Sequence, residues 1–388
     1  MAAEEIGEAS ISQSLPDDMV EVIMAFLSIS DAPKAAIVCK QWHSFIASSP
    51  IRRALSNSLH KCKPWLFILG ANKGRGLGFD PVARRWIRLP PLSLYSNEQD
   101  AIFMEGNGFL FSVSGDRLKF MDSFLNPRKW RDSTAALRVW RQNPLVCYDG
   151  GKVIVIGGVH ELEENPLCVE MLDLKSRESE MCDSLPGEFK HSASSTWLSS
   201  AVFNGKVYVL EKFKGDCCCF ELQSKRWGKV MSVGSLASSS SSSQCVKYFC
   251  LACKVGLVIA GLIMENGEIS FQMSIAEENK MECKKGTELR MPGEMLKLIA
   301  GKEREEEEDD EYSSYAEYIE CRSAGDLIYV FSKSNYVSRR RVCLFDFSRG
   351  VWEMLGDNDG CSFRNWRERV LFVCCPVTLD QTSLVFKA

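Results

Sequence analysis

Cys250 and Cys253 stand two residues apart, the separation found in half of a tetrahedral zinc site. No second pair follows at a suitable distance. The segment Cys250-Leu251-Ala252-Cys253 reads as a strand, on which side chains alternate and these two thiols face opposite sides. The expectation is therefore buried structural cysteine rather than metal ligation. A copper centre would need several imidazole and phenolate ligands converging on one point. The chain has four His, of which His43 and His60 lie near the N-terminus and only His160 and His191 lie downstream. The glycine-rich stretch from Gly70 to Gly78 links two short strand-like runs and lacks the strand-to-helix setting that a phosphate loop requires. No Ser-His-Asp set or pair of carboxylates can be argued from linear order. The residues predict a binding protein with no catalytic group, no metal and no cofactor.

Charge narrows the partners. The formal net charge is -4 over 388 residues, and Lys302 to Glu311 alone holds eight acids against two bases. The rest of the chain is close to neutral, so neither nucleic acid nor a membrane surface is an expected partner, and recognition must rest on shape and local patches. One such patch is the basic triplet Arg339-Arg340-Arg341, a candidate contact for acids on a target. The plainer alternative is that it is solvated or offset by the acidic run. Seventeen Cys without a regular framework, some adjacent as in Cys217-Cys218-Cys219, favour a reducing compartment, cytoplasm and/or nucleus. The acidic start MAAEEIGEAS is unlike a secretory signal. The longest apolar run, Leu257 to Met264, is too short for a bilayer span.

Two kinds of element must carry these residues. In the first sixty residues, Val20, Ile23, Met24 and Leu27 recur at helical spacing, as do Val38, Trp42, Phe45 and Ile46. Pro16 suits a first helical turn, and Ser28 to Asp31 supply turn and capping residues before a second helix entered through Pro33. Two or three short helices are predicted, too few to bury their own apolar surface, so a partner is expected.

From Lys63 onward the pattern becomes short β-branched and aromatic runs punctuated by turn residues. Small turns precede a strand at Gly106-Asn107-Gly108, Asp149-Gly150-Gly151, Asn204-Gly205, Val255-Gly256 and Gly325-Asp326. Their spacings of 43, 54, 51 and 69 residues are those of propeller blades with variable loops. The clearest unit places strands at Pro144 to Cys147, Lys152 to Ile156 and Val169 to Leu174, with a fourth at the edge. Six copies are counted. The first lacks its first strand, and the orphan run Arg369 to Cys375 is expected to fill that place and close a ring. Strands that alternate in direction send the second-to-third connections and the links between units to one common face. The runs Ser238 to Ser243 and Glu305 to Glu311 and the Arg339 triplet belong to that face.

The residues Leu15-Pro16-Asp17-Asp18-Met19-Val20, then Ile23 and Leu27, then Ile37-Val38-Cys39-Lys40-Gln41-Trp42 are similar to the F-box motif. The downstream region resembles kelch repeats through Gly157-Gly158 and the closing Trp86, Trp130, Trp227 and Trp352, which are read as anchors between blades. The layout resembles plant-type F-box/kelch-repeat proteins. This implies a mostly β fold, a six-bladed kelch-type β-propeller preceded by a small α-helical F-box module. The expected division is a disordered stretch at 1–13, the F-box at 14–58 and the propeller at 63–388. The implied function is the substrate-recognition subunit of an SCF-type ubiquitin ligase, with a non-catalytic scaffold outside a ligase as the alternative. By the resemblance, Leu15, Pro16, Asp17, Val20, Ile23, Leu27, Val38, Cys39 and Trp42 pack within the module or bind a Skp-type adaptor, and through it a cullin scaffold. His160, Arg339, Arg340 and Arg341 are candidates for the target-binding face.

Overall fold

The computed structural model describes residues 15–28, 30–48, 63–70, 76–89, 102–106, 109–121, 131–132, 136–158, 165–233, 236, 243–301, 315–334, 341–356, 370–375 and 377. The chain divides into two compact units, one of residues 1–62 with 377–387 and the other of residues 63–376 with 388.

The first unit contains helices α1 (Asp17–Phe26), α2 (Ala32–Ala35) and α3 (Lys40–Ala47). Helix α1 starts immediately after Pro16 and carries Asp17 and Asp18 in its first turn, where negative charge meets the positive end of the helix dipole. Val20, Met24, Ala32, Ala35 and Ile46 form its buried core, with Leu27, Trp42 and Phe45 packed against them. The periodicity expected from Val38 to Ile46 is only partly a helix. Val38 lies in the turn before α3 and is exposed. Cys39 is the N-cap instead, its Sγ accepting the backbone N–H of Trp42 at 3.5 Å. The Ser28 to Asp31 turn is held by side chains: Ser28 Oγ donates to the Asp31 carboxylate at 2.7 Å and accepts its backbone N–H at 3.1 Å.

The second unit is mostly β, a propeller arrangement of at least five blades, built from antiparallel sheets whose strands pair largely in chain order. Sheet 1 holds β1 (Trp65–Gly70), β2 (Gly76–Asp80) and β3 (Arg85–Leu89). Sheet 2 holds β4 (Ile102–Gly106), β5 (Phe109–Ser114), β6 (Arg117–Met121) and β7 (Arg131–Asp132). Sheet 3 holds β8 (Leu145–Asp149), β9 (Lys152–Ile156), β10 (Val169–Asp173) and β11 (Glu178–Cys182). Sheet 4 holds β12 (Leu198–Phe203), β13 (Lys206–Glu211), β14 (Asp216–Glu221) and β15 (Arg226–Trp227), with β16 (Met231–Ser232) also paired to β14. Sheet 5 holds β17 (Gln244–Cys253), β18 (Gly256–Glu265), β19 (Glu268–Ile275) and β20 (Leu289–Arg290). Sheet 6 holds β21 (Ile319–Ala324), β22 (Leu327–Ser332), β23 (Val342–Asp346) and β24 (Val351–Leu355). The last strand, β25 (Val370–Cys375), pairs antiparallel with β1, Trp65 opposite Cys375, and so takes the first place in sheet 1.

The core lies between sheets rather than within them. Separate buried apolar clusters join sheets 2 and 3, 3 and 4, 4 and 5, 5 and 6, and 6 and 1. Three sheets repeat one device. Phe79 faces Trp86, Phe220 faces Trp227 and Phe345 faces Trp352 across the third and fourth strands, with ring centroids 5.2, 5.0 and 4.9 Å apart. The carboxylate after the aromatic often shapes the following turn. Asp80 Oδ1 accepts the backbone N–H groups of Val82 and Ala83, and Asp346 Oδ1 that of Ser348. Helix α4 (Gly293–Ala300) was not expected among strands. It buries Leu296 and Ile299 in the cluster between sheets 5 and 6 and ends on Gly301 in the left-handed region.

The diglycine of sheet 3 is forced by backbone approach. Gly157 has φ 60°, and a Cβ there would stand 2.2 Å from the carbonyl oxygen of Ala193. The fully buried Arg141 sits beside it, Nη1 donating to Gly157 O at 2.6 Å and Cys168 O at 2.9 Å. Cys250 and Cys253 fall in different buried clusters, Cys250 between sheets 4 and 5 and Cys253 between sheets 5 and 6, as alternation along β17 requires.

Candidate functional site

The helical unit sorts its apolar residues into two sets. Val20 and Met24 point inward, whereas Leu15, Met19, Val22 and Phe26 are exposed, as are Ile37 and Val38. Phe26 is 85% and Ile37 84% exposed, far beyond what a lone surface apolar residue of a folded module needs. The entry to α1 is fixed from α3: Gln41 Nε2 donates to Leu15 O at 2.8 Å and to Asp17 Oδ1 at 2.9 Å. Of the residues expected to pack or to bind, Val20 packs, Ile23, Leu27 and Trp42 are half-buried, and Leu15, Pro16, Asp17, Val38 and Cys39 are exposed.

These helices bear a recognisable pattern. Residues 12–54 match the F-box domain. The chain is also similar to several F-box/kelch-repeat proteins of Arabidopsis thaliana. One is 31% identical over 229 residues, 56% of this chain and 55% of that protein. A second is 33% identical over 78 residues, 20% of this chain and 19% of that protein. A third is 26% identical over 200 residues, 45% of this chain and 49% of that protein. The chain thus matches about half the length of the first relative. Met19, Val22, Phe26, Ile37 and Val38 of the matched segment are exposed apolar residues outside the set that forms its core.

In the β unit the candidate residues His160, Arg339 and Arg340 lie outside the described residues, as does Trp130. Arg341 is half-buried immediately before β23. His191 is exposed after a 3-10 turn. Among the described residues no group of three or more His, Cys, Asp or Glu is arranged to hold a metal, and no helix is long and apolar enough to cross a membrane. Burial raises the thiols of Cys147 to about 11 and of Cys343 to about 12, and lifts Cys217, Cys218 and Cys321 further, which disfavours the thiolate that nucleophilic or metal chemistry would use.

A second charged site was not foreseen in the sequence. Glu320 on β21 is buried, and Lys247 Nζ on β17 donates to its Oε1 at 3.1 Å and to the carbonyls of Glu317 at 2.7 Å and Ile319 at 2.8 Å. Lys212, the residue after β13, reaches the same carboxylate at 3.6 Å and donates to Ser195 O and Thr196 O at 3.1 Å each. Alternation along β21 puts Arg322 on the face of Glu320, opposite Ile319 and Cys321. Lys333 follows β22. Burial opposes ionisation of Glu320, yet Lys333, Lys212, Lys247 and Arg322 together hold its carboxyl well below the usual range. Glu320 in turn pulls the Lys333 ammonium upward, but partial desolvation and the repulsion of Arg322, Lys212 and Lys247 prevail and bring it down to about 8.

Lys212 and Lys333 occupy equivalent places. Each is the first residue after a second strand, and each donates its backbone N–H at 2.8 Å to the residue just before the first strand of its sheet, Trp197 and Tyr318 respectively. The cluster therefore spans sheets 4, 5 and 6 at the end where second-to-third connections and links between sheets lie.

Proposed function

We propose that the chain is the substrate-recognition subunit of an SCF-type (Skp–cullin–F-box) ubiquitin ligase and carries no catalytic residue of its own. The F-box binds a Skp-type adaptor and through it a cullin, while the propeller holds a target protein. Transfer of ubiquitin takes place elsewhere in the complex, and this chain acts by raising the effective concentration of target lysines. The observation that carries this reading is the F-box match together with apolar residues, Phe26 and Ile37 foremost, left outside the core that the module buries.

In this reading the F-box spans 14–58 and the propeller 63–388, with all six sheets as blades of one ring. Support for closure comes from neighbouring first strands: β4 approaches β8, β8 approaches β12, β12 approaches β17, β17 approaches β21, β21 approaches β25 and β25 approaches β4. The start of the propeller is also tied to sheet 6, Lys63 Nζ to Asp346 Oδ2 at 2.6 Å and Tyr329 OH to Pro64 O at 3.1 Å. Within the F-box, Leu15, Pro16, Met19, Val22, Phe26, Ile37 and Val38 face the adaptor, and Val20, Ile23, Leu27 and Trp42 maintain the module. The long-connection face, including His160 and Arg339 to Arg341, meets the target, in cytoplasm and/or nucleus.

The deciding experiment is co-purification of the full chain from cells. Recovery of a Skp-type adaptor and a cullin supports a ligase subunit. Recovery of target without either component supports a scaffold acting outside a ligase.

A further inference from the structure

The cluster around Glu320 has more positive charge than its own structure requires. One carboxylate faces Lys212, Lys247, Arg322 and Lys333. Lys212 and Lys247 are buried and fully engaged, each with two backbone carbonyls and Glu320 as partners. They form a fixed positive floor. Arg322 and Lys333 are differently placed: Arg322 Nη1 makes one long bond to the adjacent Cys321 carbonyl at 3.3 Å, and Lys333 is exposed, with no acceptor for Nζ among the described residues.

Exposed aromatic rings border the same end of the sheets. Trp197 and Phe213 are exposed and pack edge to face with centroids 5.3 Å apart, Phe213 being the neighbour of Lys212. Tyr318, whose carbonyl accepts the Lys333 N–H, is exposed as well. Cations over a desolvated floor and aromatic rings beside them form the kind of surface on which a few residues dominate protein binding. Fixed cations favour an oxyanion group, and Arg adds bidentate geometry that suits two oxygens of either a carboxylate or a phosphate.

We infer that Arg322 and Lys333, set on the Lys212–Lys247–Glu320 floor and flanked by Trp197, Phe213 and Tyr318, bind an anionic peptide segment of the target that carries a carboxylate or phosphate next to an apolar side chain. The inference rests on the propeller acting as a target receptor and specifies what that receptor reads. A peptide is favoured over nucleic acid because the cationic patch is compact and the chain as a whole is slightly acidic.

The test is fluorescence anisotropy with the purified full chain and four labelled probes: an Asp-rich peptide with a central Trp, its phosphoserine counterpart, a Lys-rich counterpart and a single-stranded RNA of similar length. A parallel protein in which the acidic run 303–311 is replaced by Gly and Ser tests whether negative charge elsewhere on the chain lowers the measured affinity. One or both acidic peptides should bind, the tighter one identifying carboxylate or phosphate as the preferred group, and affinity should fall with added salt. The Arg322→Gln, Lys333→Gln double variant should lose at least about tenfold in affinity. Because both cations help to hold the buried Glu320 ionised, its melting temperature should fall, and circular dichroism at the assay temperature checks that it is folded. Phe213→Ala should weaken the Asp-rich, Trp-bearing peptide more than a fifth probe, the same peptide with its Trp replaced by Gly. The inference is overturned if acidic peptides bind neither protein better than the Lys-rich one, if RNA binds tightest, or if the double variant binds undiminished. Adaptor binding measured on the same samples separates these outcomes from failure of the receptor reading, which would lose the adaptor too.

Discussion

The rings of Phe331 on β22 and Phe372 on β25 stack with centroids 3.6 Å apart and planes within 10° of parallel. The contact joins sheet 6 to a strand that completes sheet 1, so one side chain serves both the core between the sheets and the seat of β25 beside β1. Phe372→Ala should destabilise the propeller by about 3–5 kcal/mol, the usual cost of emptying a buried aromatic site, read from chemical denaturation. Ending the chain after Asn365 removes β25 altogether and leaves β1 with an open edge, which should yield aggregated protein. A truncated chain that stays monomeric with the melting temperature of the full chain would refute the closure.

Glycine positions offer a sharper contrast. Gly157 and Gly150 both have positive φ, 60° and 53°, but a Cβ at Gly157 would meet the Ala193 backbone while one at Gly150 meets nothing within 4 Å. Gly150→Ala should therefore cost about 1 kcal/mol, the conformational term alone. Gly157→Ala should cost at least about 2 kcal/mol more, because a backbone carbonyl must move. Equal melting temperatures for the two variants would contradict the packing of the diglycine.

Much of this fold was legible because its signals are local. The turns at Asp149-Gly150-Gly151 and Asn204-Gly205 join first to second strands as expected, and Trp86, Trp227 and Trp352 sit on their Phe partners. Helix α4 was missed because its one apolar face, Leu296 and Ile299, is too short to establish a period, although Pro292 and Gly301 mark its ends. The cation cluster was illegible for a different reason. Its members are scattered from Lys212 to Lys333 and meet only through the approach of first strands in separate sheets. One signal was present: the runs Val207-Tyr208-Val209-Leu210-Glu211-Lys212 and Ile328-Tyr329-Val330-Phe331-Ser332-Lys333 end in Lys at equivalent repeat positions. The basic triplet at Arg339 is legible because it is contiguous, yet Arg339 and Arg340 fall outside the described residues.

The titration of Lys333 gives the anionic-peptide site a pH signature. The groups facing it are Glu320 and Arg322 on β21, Lys247 on β17 and Lys212 after β13. Its ammonium is lowered to about 8, so it is charged below that pH and loses its charge as pH rises through it, whereas Arg322 keeps its charge throughout. Peptide affinity should be highest near pH 7 and fall between pH 8 and 9, and the fall should disappear in Lys333→Gln. A pH-independent affinity in the parent chain would contradict this role for Lys333.

The central claim turns on the outer face of the F-box, and a matched pair of variants tests it. Met24 is fully buried in the module core while Phe26, two residues on, is 85% exposed. Met24→Asp should unfold the helices and lose adaptor binding for that trivial reason. Phe26→Asp combined with Ile37→Asp should leave helical content and melting unchanged, because neither side chain touches the core. The most direct measurement is co-precipitation of a Skp-type adaptor by the Phe26→Asp, Ile37→Asp chain against the parent. A loss of well over tenfold in captured adaptor with intact folding is the predicted result, since a few buried anchors dominate such an interface, and adaptor capture equal to the parent would contradict the account.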